Sequence, residues 1–402
     1  MWQDWLIELA LGTGKLFLNP LFYWFFIIIS LATISRIKKE RRSFGTKVFD
    51  VFSETSFTWP IAIVSGLLLS VVAVGLGFII SYTAILLLSI FTILFTIGRK
   101  FSWLSSAYTF GFTYLALLLL PSLIDGQVSD FWLEDLKQVH VVSFTVLLGL
   151  FIVIEAAIML RMDRNDTFPE LVKGNRGKWI GQHRIKKMAM IPFFTLIPNG
   201  LIIPFADWWP VFQINGESYG LILLPVLIGF EHVVKGTMPI KSTRELGQSL
   251  LILGLLTVGI SIAGYYLSVF TLISVAVAII GRELISYRFR SKDQQKQPFF
   301  GPDTKGLLVL GVIPGSPADG LDLTVGERIM KVNGKPVSDE QEFYEALQLN
   351  SAYCKLDIRD ERGEIRFAQR ALYQGEHHEL GMLFTKEHYR KIEQKQLAVE
   401  EG

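Results

Sequence analysis

The sequence predicts a polytopic α-helical membrane domain of about nine spans, with eight as the alternative count, followed by a small α+β domain. Three observations carry this. Half of the 402 residues are hydrophobic, and mean hydropathy is +0.40. Apolar stretches recur between Leu21 and Ile280 at lengths that suit a helix crossing a bilayer core of roughly 30 Å. Beyond residue 285 the pattern changes to short alternating segments punctuated by glycine and proline. The expected division is a membrane domain over 1–285, a charged linker over 286–297, the α+β domain over 298–386 and a charged tail over 387–402.

In chain order, residues 2–15 are interrupted by Asp4, Glu8 and Lys15 and read as an amphipathic helix at the interface. A cleaved secretory signal is not expected, because the first ten residues carry two acids and no base. Spans are expected over 16–35, 60–80, 82–97, 103–124 and 139–160. A proline-rich sixth covers 188–205, with Pro192, Pro198 and Pro204, and a seventh covers 219–234. The block 250–280 is too long for one crossing at about 1.5 Å per residue, so it reads as two spans turning near Gly264.

The charges of the loops alternate. Basic residues follow spans one, three, five and seven, including Arg36 to Arg42, Arg99 and Lys100, the long stretch 161–187, and Lys235 to Arg244. Acidic residues follow spans four and six, among them Asp125, Asp130, Asp207 and Glu217. Basic loops mark the cytoplasmic face. Nine crossings with the N-terminus outside put every basic loop, and the C-terminal domain, in the cytoplasm. The basic loops are read as setting topology; the stretch 161–187 is long enough also to contact anionic headgroups or an acidic partner.

The C-terminal domain opens with an apolar strand over 307–313, stopped by Pro314 and Gly315. Ser316 and Pro317 start a single helical turn over 318–321. A strand over 329–332 enters the Asn333-Gly334 turn. Ser338 and Gln341 cap a helix carrying Phe343, Ala346 and Leu347. A hairpin over 354–359 and 364–369 follows, turning at 360–363. This order resembles a bacterial PDZ domain. That resemblance implies an extended peptide, often a free C-terminus, added as a strand beside the helix, with backbone amides of a glycine-containing loop holding its carboxylate. The usual hydrophobic-Gly-hydrophobic loop is missing before the first strand, where the chain reads QPFFGPDTK. Leu380-Gly381-Met382, leading to Leu383, matches it after the hairpin instead. A circularly permuted PDZ domain would bring Leu380, Gly381, Met382 and Leu383 beside the helix of Phe343 and Leu347 as the peptide-binding site. The other reading is that Gly381 merely ends a strand and the groove is degenerate.

No catalytic, cofactor or metal signature stands out. None of the six histidines forms the H-E-x-x-H pair of a zinc protease. No soluble segment is long enough for a second, serine-protease domain, and Gly12-Thr13-Gly14-Lys15 lacks the spacing of a phosphate loop. The single cysteine, Cys354, excludes an intrachain disulfide. Glu155, Glu231 and His232 lie in expected spans, where ionisable groups mark function by default. Each also sits near a basic span end, so pairing of Glu155 with Arg161, and of Glu231 with Lys235, accounts for them equally.

A multispanning body with one terminal PDZ unit, an N-terminal part running through NPLFYWF and RIKKERRSFGTKVFD, resembles the MinJ family of cell-division topological factors. The family implies a non-enzymatic adaptor at poles and septa, recruited by the coiled-coil scaffold DivIVA and linking it to the division inhibitor MinD. Protein partners are therefore expected (a DivIVA-like scaffold, a MinD-like ATPase and other division proteins), with no nucleic acid. The alternatives are a transporter with a regulatory PDZ domain and an inactive relative of PDZ-containing membrane proteases.

Overall fold

The computed structural model describes residues 2–123, 140–174, 177–211, 218–301, 306–350, 352–373 and 380–385. The acidic loop over 125–137 and the tail over 387–402 lie outside them. Helix α1 spans Trp2–Lys15. Helix α2, Pro20–Phe44, begins where Asn19 accepts the Leu21 amide and proline takes the first helical position, and it ends at Gly45 in the left-handed region. Then come α3 (Thr58–Leu76), α4 (Tyr82–Thr96, capped by Ser81), α5 (Ser106–Leu123) and α6 (Val141–Leu160). Two further helices, α7 (Pro239–Ala263) and α8 (Val269–Gln294), turn at Gly264 as the sequence suggests, and α8 carries most of the expected linker as helix. Six of these helices are long and apolar enough to cross a membrane, and α4 is a shorter apolar helix.

The sixth and seventh expected spans are not helices. Residues 188–205 lie largely in strand β2 (Trp179–Ile202), and 219–234 form β3 (Tyr219–Val234). With β1 (Phe168–Lys173) they make an antiparallel sheet in the order β1-β2-β3. From Met188 to Pro198 the hairpin rises about 33 Å at roughly 3.3 Å per residue, so a strand can cover the same distance as a span. Helix and strand cannot be told apart by periodicity when both faces are buried, and most residues of β2 and β3 are buried.

A sheet edge in an apolar layer must have its backbone groups satisfied by protein. On the outer edge of β2, Met188 N–H donates to the Glu54 carbonyl and Met188 O accepts from Thr58 Oγ1. Farther along, Phe194 N–H donates to Ser70 Oγ, and Leu196 exchanges bonds with Phe78 and Ile80. Pro192 falls in the same alternation and has no N–H to satisfy. Its carbonyl packs against Gly66 of α3, so closely that a Cβ there would overlap it. Pro192 faces Pro225 across the register, so β3 lacks a donor at the same level. Nearer its end, β3 Leu221 N–H donates to Glu8 of α1, and the Leu221 carbonyl lies against Gly12.

The C-terminal domain has its own core, including Leu307, Val309, Ile329, Val332, Leu356 and Ile358. Its strands are β4 (Leu307–Leu308), β5 (Gly311–Val312), β6 (Arg328–Val332), β7 (Lys335–Pro336), β8 (Tyr353–Arg359), β9 (Ile365–Ala371) and β10 (Met382–Leu383). They form the path β4-β6-β8-β9, with β7 beside β6 and β10 paired to β5. Helix α9 is Glu340–Gln348, capped by Asp339 rather than Ser338. Ser338 instead donates to the Glu342 carboxylate. Asn333 and Gly334 both take positive φ, 50° and 83°, as a tight hairpin turn requires.

This domain sits on the bundle end formed by β1, the β2 start and the segment after α2. Leu308, Leu310, Val325 and Leu383 pack with Phe44, Val48, Phe49, Phe168 and Phe300. Asn165 holds the Leu323 carbonyl and Val325 N–H, and Gly181 N–H donates to the Phe300 carbonyl.

Candidate peptide-binding site

The residues after the hairpin return to the start of the domain. β10 pairs antiparallel with β5, Met382 opposite Val312 and Leu383 opposite Gly311. The Ile313 amide donates to the Gly381 carbonyl and the Ala318 amide to the Leu380 carbonyl, both at 2.8 Å. Gly381 has φ +83°, a conformation that favours glycine, and an added Cβ would run into Ser316. The segment also lies by α9, since the rings of Phe343 and Phe384 are 5.6 Å apart. Leu380, Met382, Phe384, Phe343 and Leu347 share one core. Among the described residues, β5 is the only strand paired with β10.

The side chains of this region divide between the domain core and the seam with the bundle. Phe343 and Leu347 are fully buried and pack α9 into the domain core. Leu383 points to the other side of its strand, into the seam with Phe168 and Phe300. Ser316 and Phe384, which fix the position of Gly381 and the end of the segment, were not singled out from the sequence. Locally Ser316 has only the signature of a cap, and nothing local marks a contact between positions 65 residues apart.

Beneath the domain lies a buried charge network. Arg36 donates to Glu54 at 2.9 Å and to Glu40 at 2.6 Å, and Glu40 accepts the Val48 amide. This network folds the segment that carries Phe49. Glu170 of β1 is bound by Arg184 at 2.7 Å. Burial alone would raise its pKa, but the Arg184 and Lys39 charges and the hydrogen bonds from Arg184 and Gln182 prevail and hold it below the ordinary carboxylate value. Several basic residues of 161–187 are thus committed to ion pairs: Arg164 with Glu361, Arg184 with Glu170 and Glu231, Lys186 with Glu231, and Lys187 with Asp166.

Glu155 and Glu231 take partners other than the expected ones. Glu155, fully buried, meets Arg282 at 3.2 Å and the Ser105 hydroxyl at 2.6 Å. Glu231 meets Arg184 at 2.6 Å and accepts the Phe101 amide. Both are structural ion pairs in this arrangement.

Residues 308–359 match the PDZ domain family model. Along 388 residues, 96% of each chain, the sequence is 39% identical to the cell division topological determinant MinJ of Bacillus subtilis (strain 168). The chain belongs to the MinJ family. A probable cell division topological determinant MinJ of Lacticaseibacillus paracasei is 24% identical over 92% of this chain and 98% of its own length. A putative serine protease HhoA of Synechocystis is 39% identical over 74 residues, 18% of each chain. Likeness to the MinJ family runs almost end to end, whereas likeness to the protease stops at a segment the length of one small domain. Membership makes the chain a cell division topological determinant, with apolar helices suited to a membrane and a PDZ domain suited to protein partners.

Proposed function

We propose that the chain is a non-enzymatic membrane adaptor that helps to place the division site. In this reading its PDZ domain faces the cytoplasm and takes the C-terminal peptide of a division protein along β10, next to α9. One such link joins a DivIVA-like coiled-coil scaffold at poles and septa to a MinD-like ATPase. The observation that carries the reading is β10 itself: a short strand, paired with β5 on one side, set beside the helix by a positive-φ glycine. A free strand edge beside a helix is the geometry of peptide capture by strand addition. Protein capture at a fixed membrane address needs no reacting group, and the buried pairs Arg282–Glu155 and Arg36–Glu54 hold structure instead.

The test is localisation. A fluorescent fusion of the full chain in its native host is expected at poles and septa and to disperse when the coiled-coil scaffold is deleted. Uniform membrane fluorescence in dividing cells overturns the adaptor reading.

A further inference from the structure

A cavity of about 650 Å³ opens at the bundle end that carries the PDZ domain, between the turn at Phe101–Leu104, the end of β3 and the last turns of α8. Its charges are unevenly committed. Among its acids, Glu231 is held by Arg184 and the Phe101 amide, and Asp293 accepts from the Lys235 and Gly236 amides and from Thr237 Oγ1. Glu283 accepts from the Tyr108 hydroxyl at 2.7 Å. Of the bases, Arg282 is spent on Glu155 and Ser286. Among the described residues, Lys100, Lys235 and Arg290 line the same cavity and have no carboxylate within ion-pair distance. The buried His232 Nε2 also lacks a hydrogen-bond partner there.

Lys100, Lys235 and Arg290 with one unpartnered ring nitrogen, around a cavity in which Glu231 is ion-paired and Asp293 and Glu283 are held by neutral hydrogen-bond donors, make a receptor for an anion with several oxygens. Position narrows the class. Trp103 lines the cavity and is 42% exposed, and Tyr287, one turn from Arg290 on α8, is 68% exposed. Such aromatic residues sit at headgroup level at the ends of membrane-crossing elements. We infer that this cavity binds the phosphate of an anionic membrane phospholipid, with Lys100, Lys235 and Arg290 as its charge partners. The site is independent of the peptide groove and does not rest on the adaptor reading.

The experiment uses the full chain in nanodiscs of phosphatidylcholine with a minor fraction of phosphatidylglycerol, reading bound lipid by native mass spectrometry after release into detergent. Retention of phosphatidylglycerol over phosphatidylcholine is expected. The Lys235→Gln/Arg290→Gln pair is expected to lower it by about tenfold. Arg288→Gln, an exposed cation of α8 outside the cavity lining, is expected to leave it unchanged. If the double variant does not elute as the parent protein, Lys100→Gln, at an exposed loop position, replaces it and is expected to show a smaller loss. Equal loss with Arg288→Gln, or undiminished retention in the cavity variants, overturns the site. Displacement of the lipid by inorganic phosphate alone assigns the cavity to free phosphate and overturns the lipid assignment.

Discussion

Gly381 is where a single side chain decides most about the groove. Valine there meets an unfavourable positive φ and the Ser316 side chain together. The strain is about 1–3 kcal/mol, less than the roughly 5–15 kcal/mol stability of a typical domain. Gly381→Val is therefore expected to weaken binding of a C-terminal peptide while near-UV circular dichroism stays native. Full affinity in the folded variant refutes the groove. Phe343→Ala tests less, because that ring is buried in the domain core and its loss costs about 3–5 kcal/mol. At Glu155 the expectation concerns the membrane body. Arg282→Ala leaves a buried carboxylate without its cation, which costs about 3–5 kcal/mol, and the melting temperature in detergent is expected to fall. Adding Glu155→Gln is expected to restore part of it; a further fall shows that the two residues are not coupled. The sequence marked Glu155 as unusual but could not name Arg282, since the partner lies 127 residues away. Gly381 is marked locally, as a glycine between apolar residues, and the structure gives it φ +83°.

At the scale of elements, the hairpin β2-β3 is where sequence and structure part. The run 219–234 coincides with β3, whereas β2 starts nine residues before the expected 188–205, and both are strands instead of helices. The signal available was proline: Pro192, Pro198 and Pro225 would each cost a helix interior a hydrogen bond, whereas Pro192 and Pro225 save an edge strand a donor. Helix α3 gives a paired test on one element. Gly66 abuts the Pro192 carbonyl, while a Cβ on Gly75 meets nothing within 4 Å. Gly66→Ala is expected to force the helix from the strand and destabilise by about 1–3 kcal/mol. Gly75→Ala is expected to be neutral or stabilising by up to about 1 kcal/mol. Thermal melts of the two variants in detergent read the difference, and equal melting temperatures would remove the close approach. The strand expected over 307–313 is split into β4 and β5, but β6, β8, β9 and α9 were legible within a residue or two because their turns carry Asn-Gly and capping residues, whose chemistry is local.

For the whole molecule, counting the strands β2 and β3 as crossings would leave the expected nine unchanged. If α2, α3, α4, α5, α6, β2, β3, α7 and α8 each cross once, the segments at the PDZ end are those that carry Arg36, Arg99, Lys187 and Lys235, which is the pattern of the basic loops. A reporter enzyme active only in the cytoplasm is expected to work when fused after Gly402 and to be silent when inserted within residues 125–137. Activity at the second site, or silence at the first, would sink the nine-crossing arrangement. What the sequence could not convey was the seat of the PDZ domain, assembled from residues as distant as Phe49, Asn165 and Phe300.

The satisfied edges of the hairpin also bear on how the protein is made. Glu8, Glu54, Thr58, Ser70 and Phe78, which take its outward backbone groups, all precede residue 179 in the chain. Synthesis runs from the N-terminus, so by the time the two strands emerge from the ribosome those acceptors and donors already exist. The strands can be zipped onto a finished template instead of waiting with bare amides in lipid. Reversing that order, by moving α1 and α3 behind the hairpin in a rearranged gene, would deliver the strands before their partners.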